Sequence, residues 1–277
     1  MGTIADKLTR IITTKEDIRQ ALISKGYDVP TSIPFKEYAK MILDLPCKAD
    51  SFPDIEGIVA RYYASGLTNE QMAVNPVWVD KTGNGHDLQM KNFAWKEGSG
   101  ISDIYPGALV FDGVDDYGVC ENFPVLTKEK GYTVVALRQW IEEKNSVTAL
   151  ASNSKNWNQD GAFVFEYNNL ENNYPNIEIS FGSNNMFDRG LSPYSYQTSK
   201  SYNGNLIESG SFLGSDKLVV AKANENLSPN SNIAIWELVF LDHDATEEEL
   251  TKIKDYFVKT YPWLFPDQAW TVVGKTN

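Results

Sequence analysis

The stretch Gly107–Cys120, GALVFDGVDDYGVC, constrains this chain more than any other. Two short runs of β-forming residues, Ala108–Phe111 and Tyr117–Cys120, flank Asp112-Gly113-Val114-Asp115-Asp116, a segment dense in turn formers. Gly113 can adopt a positive φ, and the aspartates can bond nearby backbone amides. The stretch reads as a strand–turn–strand unit in which Asp112, Asp115 and Asp116 serve the turn. Loop carboxylates are also the hard oxygen donors that calcium takes. No spaced ligand set such as an EF-hand loop accompanies them. No cofactor is therefore expected, with calcium the one cation left open.

From Gly57 onward the pattern repeats in kind. Ile58–Tyr63, Thr133–Gln139, Thr148–Ala151, Ala162–Tyr167, Ile177–Phe181, Lys217–Ala221 and Ile233–Leu241 read as further strands, separated by signals such as Thr82-Gly83-Asn84-Gly85 and Asn203-Gly204. Many strands with few intervening helices predict a mainly β chain, an antiparallel β-sandwich of jelly-roll type. A single helix closes it. Thr246 is a good N-cap, three glutamates fill the first turn, and Leu250, Ile253 and Phe257 give an apolar face.

The N-terminal part is different. Ile4, Leu8, Ile11, Lys15, Ile18 and Leu22 alternate spacings of four and three, the seam of a coiled coil with one polar position. Two short helices folded on each other satisfy the same spacing, because Thr13 and Thr14 followed by Glu16 can cap a new helix. A further helix is expected from Pro34 to Leu45, where Phe35, Tyr38 and Ile42 share a face. The organisation is thus a helical segment over 1–45, a linker over 46–56, a sandwich over 57–262 and an aromatic tail over 263–277.

With 277 residues and a net charge of −12, the chain has length for a real core and the wrong sign for nucleic acid or anionic membranes. No apolar run reaches a membrane span, and no apolar h-region marks the first residues as a Sec signal. Cys47 and Cys120 show no metal spacing.

From Gly57 to about Pro262 five segments, in order, resemble the concanavalin A-like lectin/glucanase superfamily, in its laminin-G-like three branch. GIVARYYAS at 57–65 resembles the opening strand, and WVDKTGNGHDLQM at 78–90 is similar to the W-x-D-x-S-G-N-G-x-D-L segment. LVFDGVDDYGV at 109–119 matches the most recognisable motif. SYNGNLIESG at 201–210 resembles a Y-x-N-G hairpin, and IAIWELVFLDHDATEEELTKIKDYF at 233–257 the last strand and closing helix. The N-terminal segment is similar to a small helical module of tailed-phage structural proteins, where it precedes fibre or receptor-binding domains.

The superfamily includes glycoside hydrolases, whose retaining members carry E-x-D-x-x-E on one strand. Glu166 and Glu178 each stand alone here, without the paired carboxylates the reaction needs. His86 falls in a turn where the resemblance implies loop capping. His243, between Asp242 and Asp244, suits a solvated turn, and Trp236 suits the core. Glycan binding calls for exposed aromatics beside amides. The candidates are Trp157, Asn184, Asn185, Tyr194 and Tyr196, all in expected loops.

The reading is a non-enzymatic structural and adhesion protein of a tailed-phage virion, a head or tail fibre or a capsid decoration. Its helices contact other virion proteins and join copies, a trimer being favoured by Leu at a and Ile at d. Its sandwich meets host-surface or environmental glycans. The alternative is a bacterial cell-surface carbohydrate-binding module, and a divergent glycosidase comes third.

Overall fold

A computed structural model describes residues 4–24, 29, 34, 52–127, 130–142, 148–154, 163–166, 193–199, 214–223 and 230–265. The chain divides into two compact units, Met1–Phe52 and Pro53–Asn277. In the first, one continuous helix, α1 (Ile4–Ser24), replaces the pair of short helices that Thr13 and Thr14 left open. Arg19 steadies its second half, pairing with Glu16 at 2.8 Å and donating to the Val29 carbonyl at 3.0 Å. The helix expected over Pro34–Leu45 lies outside the described residues.

The second unit is mainly β, a sandwich of two antiparallel sheets. Its elements run β1 (Ile58–Tyr63), α2 (Asn69–Val74), β2 (Val77–Trp78), β3 (Leu88–Lys91), β4 (Gly100–Ile101), β5 (Leu109–Asp112) and β6 (Tyr117–Cys120). There follow β7 (Thr133–Glu142), β8 (Ala151–Ser154), β9 (Val164–Phe165), β10 (Tyr194–Thr198), β11 (Gly214–Val220), β12 (Asn232–Leu241), α3 (Glu247–Thr260) and a 3₁₀ turn, Pro262–Leu264. Among the described residues one sheet runs β10-β7-β12-β5-β4 with β1 also on β12, and the other runs β2-β3-β6-β11-β8-β9.

Strand β12 organises the first sheet. One edge pairs with β7 along its length, while the other takes β5 at Asn232–Ile235 and β1 at Glu237–Leu241. A register shift between Ile235 and Glu237 changes which residues face inward. Ile233 and Ile235 enter the inter-sheet core on one side of it, and Leu238 and Phe240 on the other. Trp236 is buried, as expected, and its Nε1 donates to the Pro106 carbonyl at 2.9 Å. Tyr62, Trp78, Phe111, Phe123, Phe163, Phe165 and Phe240 fill the space between the sheets. Removing any one of them would cost about 3–5 kcal/mol, because tight interiors collapse only partly around a void.

The opposite face of the first sheet is half covered by α3. A reciprocal capping box starts this helix, with Thr246 Oγ1 accepting from the Glu249 amide at 3.2 Å and Glu249 Oε2 from the Thr246 amide at 2.8 Å. Its apolar face lays Phe257 edge-on to Tyr194 of β10.

Candidate functional site

The uncovered half of that outer face holds a cleft, built by two short stretches of sequence. The first is Glu97–Gly107, in which a carboxylate gathers the loop. Ser102 Oγ donates to Glu97 Oε1 at 2.6 Å, the Asp103 amide to Oε2 at 2.7 Å, and the Tyr105 amide to Ser102 Oγ at 2.8 Å. Partial burial alone would push the Glu97 carboxyl up. The bonds from Ser102 and from the Asp103, Ile104 and Gly98 amides outweigh it and hold the group below its ordinary range. At the loop's start Asn69 of α2 brackets Ile101, donating to its carbonyl and accepting from its amide at 2.8 and 2.7 Å.

The second stretch is the Asp112–Asp116 turn. Asp112 Oδ1 accepts from the amides of Val114, Asp115 and Asp116 at 2.7, 3.3 and 3.4 Å, and Asp116 Oδ2 accepts from the Asp112 amide at 3.0 Å. Gly113 has φ +73°, and a Cβ there would come within 2.7 Å of Asn232. The turn therefore rests on the first residue of β12, and the glycine is what permits that approach. Carboxylate oxygens of Asp112, Asp115 and Asp116 lie within 4.8 Å of one another, although the turn already engages Asp112 Oδ1. Asp116 is fully buried, and its Oδ1 has no hydrogen-bond partner among the described residues. Burial, with the Asp112 and Asp115 charges adding to it, pushes its carboxyl up to about 7.

Loop and turn face each other across a cavity of about 300 Å³ lined by Glu97, Ile104, Tyr105, Asp112, Ile141 and Asn232, among others. None of these drew notice in the sequence except Asp112. Ile104 and Tyr105, apolar residues stranded between Asp103 and Pro106-Gly107, were the visible signal.

The remaining expected sites fall elsewhere. Tyr194 and Tyr196 belong to strand β10, not a loop. The alternation in Pro193-Tyr-Ser-Tyr-Gln-Thr is a period-two strand signal that outweighs its turn formers. Tyr194 is buried, its hydroxyl donates to the Leu250 carbonyl at 3.3 Å, and burial first, then Tyr196, pushes its pKa up. It cannot serve as a sugar platform. Tyr196 is half-buried beside it, with centroids 5.8 Å apart. Trp157, Asn184, Asn185, Glu178, Cys47 and the 201–210 hairpin lie outside the described residues. Along α1, Leu8 and Ile11 are exposed and Ile18 is half-buried, while nothing is described of the side chains of Ile4 and Leu22.

Glu166, the lone acid weighed as a catalyst, is fully buried and carries φ +50°. Arg138 bonds it through Nε at 2.8 and 2.9 Å and through Nη2 at 2.6 Å, and Trp140 Nε1 donates to it at 2.6 Å. Arg61 and Glu237 form a second buried pair at 2.5 Å. His86 donates its amide to Asp80, whose carboxylate also takes the Arg61 amide and the Thr82 amide and hydroxyl. His243 lies in a bend ahead of α3 with its side chain 35% exposed. Its Nδ1 lies 3.4 Å from Asp242 and its Nε2 3.3 Å from Glu249, at the wall of an open polar cavity shared with Glu56 and Gly57.

No family model matches the chain, and no curated protein matches it. Among solved structures, Trypanosoma rangeli sialidase aligns with 13% identity and a TM-score of 0.42, over 91% of this chain and 39% of that one. The botulinum neurotoxin serotype G binding domain aligns with 9% identity and a TM-score of 0.35, over 74% and 51%. The chain thus spans about two fifths of the sialidase's length. At such scores neither neighbour bears on the fold or the chemistry of this chain.

Proposed function

We propose that the chain is a non-enzymatic structural and adhesion protein of a tailed-phage virion, a fibre or capsid decoration. Its N-terminal helix joins copies and docks on other virion proteins, and its laminin-G-like sandwich presents a glycan-binding surface. The observation that carries this reading is the state of α1, where Leu8, Ile11 and Ile12 stand 56%, 57% and 60% exposed on a 21-residue helix. Water does not hold such a row of aliphatic side chains in place, whereas packing against copies of the same helix does. Leu at a and Ile at d favour more than two strands, and three suit a fibre.

Two features support a role without catalysis. Glu166 is fully buried and held by an arginine and an indole, and Glu237 is fully buried and held by Arg61. A glycosidase needs instead two carboxyl groups flanking an accessible bond.

Light scattering on the full chain tests the reading. A trimer is expected, and Leu8→Asp with Ile11→Asp should dissociate it. A stable monomer would sink the fibre assignment, and a monomer that binds glycans would favour the bacterial cell-surface module instead.

A further inference from the structure

The outer-face cleft has the properties of a saccharide site, and we infer that it binds an uncharged saccharide. The inference rests on the adhesion reading and names the surface that performs it.

Size is the first argument. The cavity holds about 300 Å³, at the lower end of the range of roughly 300–1,000 Å³ in which small-ligand clefts fall. The second is the mixture of its walls. Ile104, Tyr105 and Ile141 supply apolar surface for the carbon face of a sugar ring, and Asp112 and Asn232 stand beside them. The third is that polar valence remains to be used. Asp112 spends Oδ1 on three backbone amides, which leaves Oδ2 without a partner among the described residues. Asn232 makes one long bond, from Nδ2 to Glu142 at 3.4 Å, so its Oδ1 is an acceptor in waiting. The Tyr105 hydroxyl has no partner among the described residues either. A sugar hydroxyl, donor and acceptor at once, suits such a set.

Charge then narrows the ligand. Glu97 and Asp112 are both carboxylates, and no Lys, Arg or His is among the described residues that line the cleft. Sialic and uronic acids would bring a third negative charge with nothing to meet it. The walls are also fixed before any ligand arrives. Tyr105 stands edge-on to Trp236 at 6.4 Å, Trp236 is tied to the Pro106 carbonyl, and Glu97 binds the loop at both oxygens. Little ordering is left for binding to oppose.

The test uses the full chain on an array of neutral and sialylated oligosaccharides, followed by titration of the best soluble neutral glycan against tryptophan fluorescence. Ile104→Asp removes an apolar wall at a residue 71% exposed, so the fold tolerates it. Asn232→Asp changes the amide with its shape kept, and a melting curve confirms that it folds. Trp263→Ala removes an exposed indole elsewhere on the surface. Neutral-glycan binding weakened about tenfold or more by each cleft variant, and untouched by Trp263→Ala, is the expected result. Neutral-glycan binding that both cleft variants retain overturns the cleft and leaves the adhesion reading standing. Binding confined to sialylated glycans overturns the charge argument. Binding to nothing on the array sinks the adhesion reading and the cleft together.

Discussion

Two buried Arg–Glu pairs do different work in this molecule, and their settings explain why. Arg138 lies on the inward side of β7 and Glu166 follows β9 of the facing sheet, so this pair ties the two sheets together through the core. Arg61 and Glu237 lie on the outward side of β1 and β12, beneath α3. There Arg61 Nη2 donates to Tyr256 at 2.9 Å, the guanidinium stacks over Tyr63 and Tyr256, and the Tyr261 hydroxyl donates to Glu237 at 3.0 Å. The Trp140 indole supports the first pair. The second has a ring of tyrosines that belong partly to the C-terminal helix. Desolvating two charges costs several kcal/mol, so neither pair is a source of net stability by its attraction alone. Each specifies a geometry, the first between sheets and the second between helix and sheet.

Breaking either pair separates those roles. Arg138→Met leaves Glu166 charged in the core and should destabilise by about 3–5 kcal/mol in urea denaturation, with loss of the whole sandwich. Adding Glu166→Leu should recover most of that loss, because the uncompensated charge is what the single variant suffers from. Arg61→Met should cost about 3 kcal/mol, at the lower end of the same range, since Tyr261 still donates to Glu237. Its signature is local, with faster hydrogen exchange in α3 before the sheets respond. Equal exchange throughout the protein would erase the distinction drawn between the two pairs.

Asp116 extends the comparison to a buried acid that pairs with no cation among the described residues. Its carboxyl titrates near 7. The folded chain therefore holds a proton between about pH 4 and 7 that the unfolded chain has released, and stability falls as pH rises through that window. The shift bounds the effect at about 4 kcal/mol. Asp116→Asn should raise the melting temperature at pH 8 and leave it almost unchanged at pH 4. A rise of the same size at both pH values would refute the link to ionisation. The smallest effect belongs to Tyr261→Phe. It removes one hydrogen bond to a charged acceptor, worth about 1.5 kcal/mol, and should loosen α3 in the same exchange experiment without touching the core.

The sequence was most informative where one short stretch carried its own instructions. Ile58–Tyr63, Tyr117–Cys120 and the Thr246 cap fall where pattern and capping chemistry put them. The strand expected at Thr148–Ala151 forms three residues later, at Ala151–Ser154. Its apolar residues run on both faces and give no phase. Strands β2 and β4, two residues each, are too short to show a period, and β10 was hidden by Pro193 and the serines around its tyrosines. The partners of the buried acids were out of reach. Arg61 and Glu237 stand 176 residues apart and meet because β1 and β12 pair in a particular register. The cleft has the same character. Asp112 was legible as a turn residue, but Asn232 reaches it only through the pairing of β5 with β12, and Tyr105 only through a loop gathered by Glu97.

The place of β12 in that sheet also sets a timetable for synthesis. It joins β7 to β5 and β1, yet it is the last made of the described strands. From the emergence of β1 to that of β12 a ribosome needs roughly ten to forty seconds at 5–20 residues per second. Through that interval the inward faces of β1, β5 and β7 lack their central partner. Contacts this distant in sequence form slowly even once all the parts exist. α1 precedes every described strand and, as a helix, needs only local contacts, so it can form while the rest of the chain is still unfolded. A chain cut before Leu241 would therefore lose the sandwich as a whole rather than one strand of it.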